Sequence, residues 1–165
     1  MLSVNTVAEI EFELREEIGQ EGRNSKVFRS FDQALDAELV IKRVNKNSVA
    51  DADALFDEAR LLYKSTHPYV VPINYACQDN DFIYLAMPYF PDGSLAQLME
   101  QRFLTVREII KFTCQFVSGL HNIHSKGLIH FDIKPDNILL SHRGEALLSD
   151  FGLAKHTNSL GLATK

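Results

Sequence analysis

Between Ile129 and Leu140 the chain sets His130, Asp132, Lys134, Asp136 and Asn137 into runs of Ile and Leu. The apolar flanks ask for burial, while the polar groups ask for water or a partner. A polar group taken from water without a partner costs on the order of 2–7 kcal/mol. Any fold for this chain must therefore give the segment a cluster that satisfies itself or a cleft that opens to a ligand.

The apolar spacing changes once along the chain. Ser25–Phe31 and Ala37–Val44 are rich in β-branched and aromatic residues, and the polar stretch DQALDA between them predicts an antiparallel hairpin. Gly19 and Gly22 lie just upstream and read as a glycine-containing turn. From Asp51 to Lys64 the period becomes helical, with Leu55, Ala59, Leu62 and Tyr63 on one face and acids in the first turns. STHPYVVP ends that helix. Asp81–Met87 is a mostly apolar run of strand length, and PYFPDGSL reads as a linker between two lobes.

After the linker helices dominate. Thr105 and Glu108 form a capping-box pattern. Val106, Ile109, Ile110, Phe116, Val117, Leu120 and Ile123 mark one face of a long helix, and Gly127 is its terminator. Ala146–Ala154 reads as a short buried strand ending at Gly152. The fold class expected is α+β: residues 1–91 form a sheet lobe with one helix, and residues 92–165 a mainly helical lobe.

Composition narrows the partners. With 45% apolar and 24% charged residues in 165, the chain suits one domain or two small lobes. A net charge of −5 and a pI of about 5.6 favour neither a nucleic-acid nor an anionic-membrane surface. Cys77 and Cys114 lack CxxC spacing, which argues against a disulfide scaffold or structural zinc and suits a reducing cytoplasm. The first residues have neither a basic region nor an apolar one, so no secretory leader is expected. No run approaches the ~20 apolar residues of a membrane span.

Four features follow one another: a glycine-containing turn, Lys42 inside an apolar strand, Glu58 on the next helix, and Asp132, Asn137 and Asp150 at loop or strand ends. Together they suit a nucleoside triphosphate. Glycines let backbone approach phosphates. A strand lysine offers a positive charge that a helix glutamate can hold. Aspartate and asparagine oxygens suit Mg²⁺, and a second aspartate can take a hydroxyl proton. Phosphoryl transfer is mostly positioning and charge stabilisation.

In this order the motifs resemble those of eukaryotic-type serine/threonine protein kinases. VIK (Val40–Lys42) is similar to the strand-lysine motif, DEARLLYKSTHP to the helix that carries its partner, HFDIKPDN to the catalytic loop, and DFG (Asp150–Gly152) to the metal motif. The resemblance covers about residues 12 to 155. It implies that Lys42 pairs with Glu58 and holds phosphates, that Asp132 is the catalytic base and Lys134 steadies the γ-phosphate, and that Asn137 and Asp150 bind Mg²⁺. It implies a gatekeeper at Met87, an adenine hinge at Pro88–Phe90, and Val40 and Leu139 in the ATP site. Asp132, Lys134 and Asn137 follow the serine/threonine pattern. The implied activity is ATP- and Mg-dependent phosphoryl transfer to protein hydroxyls; the alternatives are a nucleotide-binding, catalytically silent regulator acting through a partner, and a pure interaction module.

The departures carry expectations of their own. Gly19, Gly22, Ser25 and Val27 give G-x-x-G-x-x-S-x-V in place of G-x-G-x-x-G-x-V, and a plain hairpin turn is the other reading of the two glycines. Pro88 keeps the hinge carbonyl, and Phe90 keeps the N–H that the family uses. Val40 replaces a small alanine. Phe131 replaces the arginine that pairs with a phosphorylated activation loop, which implies activity independent of that phosphate. The chain stops 13 residues after Gly152, before an A-P-E motif; the expectation is a truncated lower lobe whose helix face over Ile109–Ile123 and loop at His130 are partly uncovered, for a partner chain to cover. Cys114, His121 and His124 read as surface or core rather than a metal site, His130 as a structural histidine beneath Phe151, and Thr157, Ser159 and Thr164 as phosphorylation sites or a solvated tail.

Overall fold

The computed structural model describes residues 10–21, 25–48, 56, 59–60, 62–64, 66–151 and 155–156. Its upper half is a five-stranded antiparallel sheet in the order β1-β2-β3-β5-β4. The strands are β1 Glu13–Glu21, β2 Ser25–Asp32, β3 Ala37–Asn45, β4 Tyr75–Gln78 and β5 Phe82–Pro88. The expected hairpin is β2–β3, with Val27 opposite Lys42 and Arg29 opposite Val40. Asp32 closes its turn by accepting from the amides of Ala34 and Leu35 at 2.9 and 3.0 Å.

Two strands lack the alternation that would announce them. β1 is a charged edge strand, ELREEIGQE, held to β2 through the Lys26–Glu17 ion pair at 2.8 Å and by Arg15 lying 4.3 Å over Phe31. Gly19 therefore sits within a strand, opposite Val27, and not in the turn expected from the sequence. β4 has only 4 residues and lies at the other edge. Among the residues of the expected 51–64 helix, 56, 59–60 and 62–64 are helical. Ala59 and Leu62 face the core, but Tyr63 is 65% exposed, because it follows Leu62 by about 100° around the helix.

The lower half carries α1 Leu95–Gln101, α2 Val106–His124 and the short strands β6 Leu128–Ile129, β7 Ile138–Leu140, β8 Ala146–Leu148 and β9 Lys155–His156, paired β7–β8 and β6–β9. The stretch read as a linker ends in a cap: Ser94 and Gln97 form a capping box that starts α1. The Thr105–Glu108 box starts α2 as expected, and Gly127 at φ +77° follows its end. β8 stops at Leu148, earlier than the strand expected to reach Gly152, which lies outside the described residues.

The apolar residues of α2 divide into two faces rather than one. Phe112, Gln115, Gly119 and Ile123 are buried, whereas Val106, Ile110 and Val117 are 72%, 60% and 47% exposed. Exposed Phe131 and Ile133 agree with the expectation of an uncovered catalytic loop, while His130 itself is buried. The main core joins the two halves: Leu62, Ile73, Ile83 and Leu85 pack with Ile123, Leu128, Leu148 and Phe151. Among the described residues no helix is long and apolar enough to cross a membrane.

Candidate active site

Where the sheet meets the lower half there is a cleft of about 480 Å³. Ile18, Gly19, Val27 and Val40 contribute from the strands of the hairpin and its edge, Met87 and Pro88 from the end of β5, and Leu139 from β7. Val27, Val40 and Lys42 share a face because cross-strand partners and alternate residues point the same way. The polar groups gather in the same cleft: Lys42, Lys134, Asn137 and Asp150 all line it.

Lys42 is only 8% exposed, next to Ile41 at 0%. A buried ammonium needs an anion, and Lys42 Nζ donates to Asp150 Oδ1 at 2.9 Å. Asp150 stands just after β8, with φ +60°. Phe151 then turns inward, buried in the shared core, its ring 4.8 Å from that of His130.

His130 organises the loop beneath. It is 1% exposed, and its Nδ1 accepts from the Asp132 amide at 3.2 Å. Nε2 must then carry the proton, which it donates to the Ser149 carbonyl at 2.8 Å. Burial lowers the pKa of His130 and keeps the ring neutral. The backbone between the two ends of this bridge bends through Phe131 at φ +64°, a conformation that costs of order 1–3 kcal/mol for such a residue. The hydrogen bonds on both sides hold that strain and aim Asp132. The reading of His130 as a structural histidine beneath Phe151 is borne out.

Asp132 is the centre of a triangle. Its Oδ2 accepts from Lys134 Nζ at 2.8 Å and from Asn137 Nδ2 at 2.9 Å, and Asn137 also donates to the Asp132 carbonyl at 2.9 Å. The Lys134 contact, with help from Asn137, holds the Asp132 carboxyl below its usual range. Ser149 joins the two halves of the site, because its N–H and Oγ donate to the Asn137 carbonyl at 2.9 and 3.0 Å.

Of the residues singled out in the sequence, Gly19, Val27, Val40, Lys42, Met87, Pro88, Lys134, Leu139, Asn137 and Asp150 line the cleft, and Asp132 is bonded to two of them. Ser25 and Phe90 do not line it. Ser25 is buried in β2, its Oγ without a hydrogen-bond partner among the described residues, and the Phe90 carbonyl accepts from Gly93 at 3.1 Å. Gly22 and Glu58 lie outside the described residues. The sequence reading missed Ile18, Val71, Ile73 and Ser149. Ile18 sits beside Gly19 in a strand with no apolar alternation, and Val71 and Ile73 fall in a proline-interrupted stretch without a period.

The donor set fits a nucleotide with Mg²⁺. The cleft is apolar at the end formed by Val27, Val40, Met87 and Leu139, and ionic at the end formed by Lys42, Asp150 and Asn137. Among the described residues no group of three or more His, Cys, Asp or Glu could hold a metal. One carboxylate and one amide oxygen suit Mg²⁺, which keeps waters and takes the rest of its ligands from phosphate.

The family model described as protein kinase domain matches residues 12–164. The chain is 32% identical over 151 residues to serine/threonine-protein kinase PKH3 of Eremothecium gossypii, covering 87% of this chain and 21% of that protein. It is 35% identical over 113 residues to human Rho-associated protein kinase 1 (68% and 8%), and 36% identical over 122 residues to serine/threonine-protein kinase CBK1 of Candida albicans (73% and 16%). The chain thus spans about a fifth or less of the length of these relatives.

Proposed function

Because this chain belongs to the protein kinase family, whose domain model matches residues 12–164, we propose that it transfers the γ-phosphoryl group of ATP to serine or threonine hydroxyls of protein substrates, with Mg²⁺. The observation that carries this reading is the meeting of Lys42 and Asp150 at 2.9 Å in the cleft that Asn137 also lines.

Lys42 holds phosphate oxygens through its ammonium, and Asn137 and Asp150 hold the metal. Mg²⁺, when bound, neutralises phosphate charge. Val27, Val40, Met87 and Leu139 enclose the base, with the Pro88 carbonyl beside them as a backbone acceptor. Asp132 is kept ionised by Lys134, so its carboxylate orients the incoming hydroxyl and receives its proton. The hydroxyl oxygen gains the bond to phosphorus, and the bond to the β-phosphate oxygen breaks. The serine/threonine reading rests on the Asp132, Lys134 and Asn137 pattern and on its likeness to relatives named as such kinases. We read residues 1–91 and 92–165 as the two lobes, and the free Cys77 and Cys114 as suited to the cytoplasm.

The test is transfer of labelled γ-phosphate to the chain itself or to a generic protein substrate, with Asp132→Asn as control. Transfer well above that control is expected, and none above it would reject the activity. The exposed Val106, Ile110 and Val117 favour a second reading, a silent nucleotide-binding regulator with a protein partner on that face. Thermal stabilisation by Mg-ATP without turnover would select it.

A further inference from the structure

Gly119 is buried in the C-terminal half of α2, facing the loop before β4. A Cβ placed there would stand 2.4 Å from the carbonyl oxygen of Tyr69 and 3.1 Å from Val70 Cγ2. The first distance is far inside contact, and the atom met is backbone, which cannot rotate away. That carbonyl is also engaged: it accepts from the Leu148 amide at 2.9 Å, while the Val71 amide donates to the Leu148 carbonyl at 2.9 Å. Leu148 is the last residue of β8, two before Asp150.

Helix α2 is tied to this part of the structure on its buried side. Gln115 Oε1 accepts from the Ala146 amide at 2.9 Å, tying the helix to the start of the same strand, and Ile123 is locked in the shared core. The far side of Ser149 is tied to the Asn137 carbonyl. A push on Tyr69 therefore falls on Leu148 and, through it, on the strand end that delivers Asp150.

We propose that Gly119 is a positioning residue for Asp150: its missing side chain seats the Tyr69 carbonyl against Leu148 and so sets the spacing of the two metal-holding side chains. This rests on the reading that Asn137 and Asp150 hold Mg²⁺. Groups bonded directly to metal ligands change metal affinity by about 10- to 100-fold when disturbed, and Gly119, acting through Leu148, belongs at the low end.

The test compares the nucleotide affinity of the full chain with and without Mg²⁺, by calorimetry, for wild type, Gly119→Ala and Val117→Ala on the exposed face of the same helix. In wild type Mg²⁺ tightens binding; if it does not, the kinase reading fails, and this inference with it. Given that enhancement, Gly119→Ala is expected to cut it by about tenfold while metal-free affinity stays within about twofold, and Val117→Ala, at an exposed position of the same helix, leaves both at wild-type values. An unchanged enhancement in Gly119→Ala, or an equal loss with and without metal, overturns the inference and leaves the kinase reading standing. Should Gly119→Ala fail to fold, amide exchange in wild type decides. Adding Mg²⁺ to the nucleotide-loaded chain slows exchange at Leu148 and Val71 if the coupling exists, and unchanged rates there overturn it.

Discussion

Lys42 Nζ and Asp150 Oδ1 stand 2.9 Å apart although 108 residues separate them in the chain, one on the third strand of the sheet and the other just after β8. Their side chains are 10% and 23% exposed, so the pair sits largely out of water. Removing one partner strands the other charge in a poor solvent. In the absence of nucleotide, Asp150→Ala is expected to lower unfolding stability by about 2 kcal/mol. In a double-mutant cycle with Lys42→Met, followed by urea unfolding, the double change should cost less than the sum of the two single changes. Additive effects would show that the pair contributes nothing.

Asp132 and Lys134 give a pH prediction. The Lys134 ammonium, then Asn137, hold the Asp132 carboxyl below its ordinary range. A base must be ionised to take a proton, so the acid limb of kcat/KM lies below the usual carboxylate pKa. Lys134→Ala removes the main cause and moves that limb to higher pH. Asp132→Asn lowers the transfer rate by about 10²–10⁴-fold and leaves nucleotide affinity near wild type. Both are read from initial rates across a pH series.

Buried His130 and partly buried His67 give stability a second dependence on pH. Desolvation lowers the pKa of both His130 and His67, with Lys126 adding to the effect at His67. In the unfolded chain each takes up a proton near its ordinary pKa of about 6.5, while the folded chain resists. Stability is therefore full above about pH 6.5 and is lost as pH falls from there through the lowered values. The carboxylates held low, Asp79, Asp132 and Glu108, act only at more acid pH. Urea midpoints should fall between pH 7 and 5, and NMR should find His130 titrating below an ordinary histidine, with the neutral ring's proton on Nε2. A His130 that titrates at or above the ordinary value, or carries that proton on Nδ1, would contradict the account.

The two faces of α2 separate by mutation. Ile123, 1% exposed in the shared core, should cost about 2–5 kcal/mol when cut to alanine. Val117, 47% exposed, should cost less than about 0.5 kcal/mol. Comparable losses at both positions would show that the exposed face is packed in solution.

Much of the site was legible because its residues break local rules. A lysine in an apolar strand and a polar cluster between Ile and Leu runs both demand partners, and Lys42 and Asp132 find them. The β2–β3 hairpin and the start of α2 were legible for a simpler reason: turn and capping chemistry is local. β1 was not, since its charged sequence is held by edge pairing and ion pairs rather than by a buried face. Nor was the division of α2, where apolar residues on two faces read as one stripe and only the packing of Gln115, Gly119 and Ile123 shows which is buried. Ser149 was invisible because its role, joining Asn137 to the strand that delivers Asp150, is made through backbone groups that a sequence does not distinguish.

The proposed convergence of Lys42, Asn137 and Asp150 on one metal-bound triphosphate is tested most directly by replacing Mg²⁺ with paramagnetic Mn²⁺ in the nucleotide-loaded chain and reading NMR line widths. The Asn137 side-chain amide and the Asp150 backbone amide should broaden first, at substoichiometric Mn²⁺, while signals from exposed Phe103 stay sharp, and Asp150→Asn should abolish the effect. Sharp lines at Asn137 and Asp150, or strongest broadening elsewhere, would contradict the account.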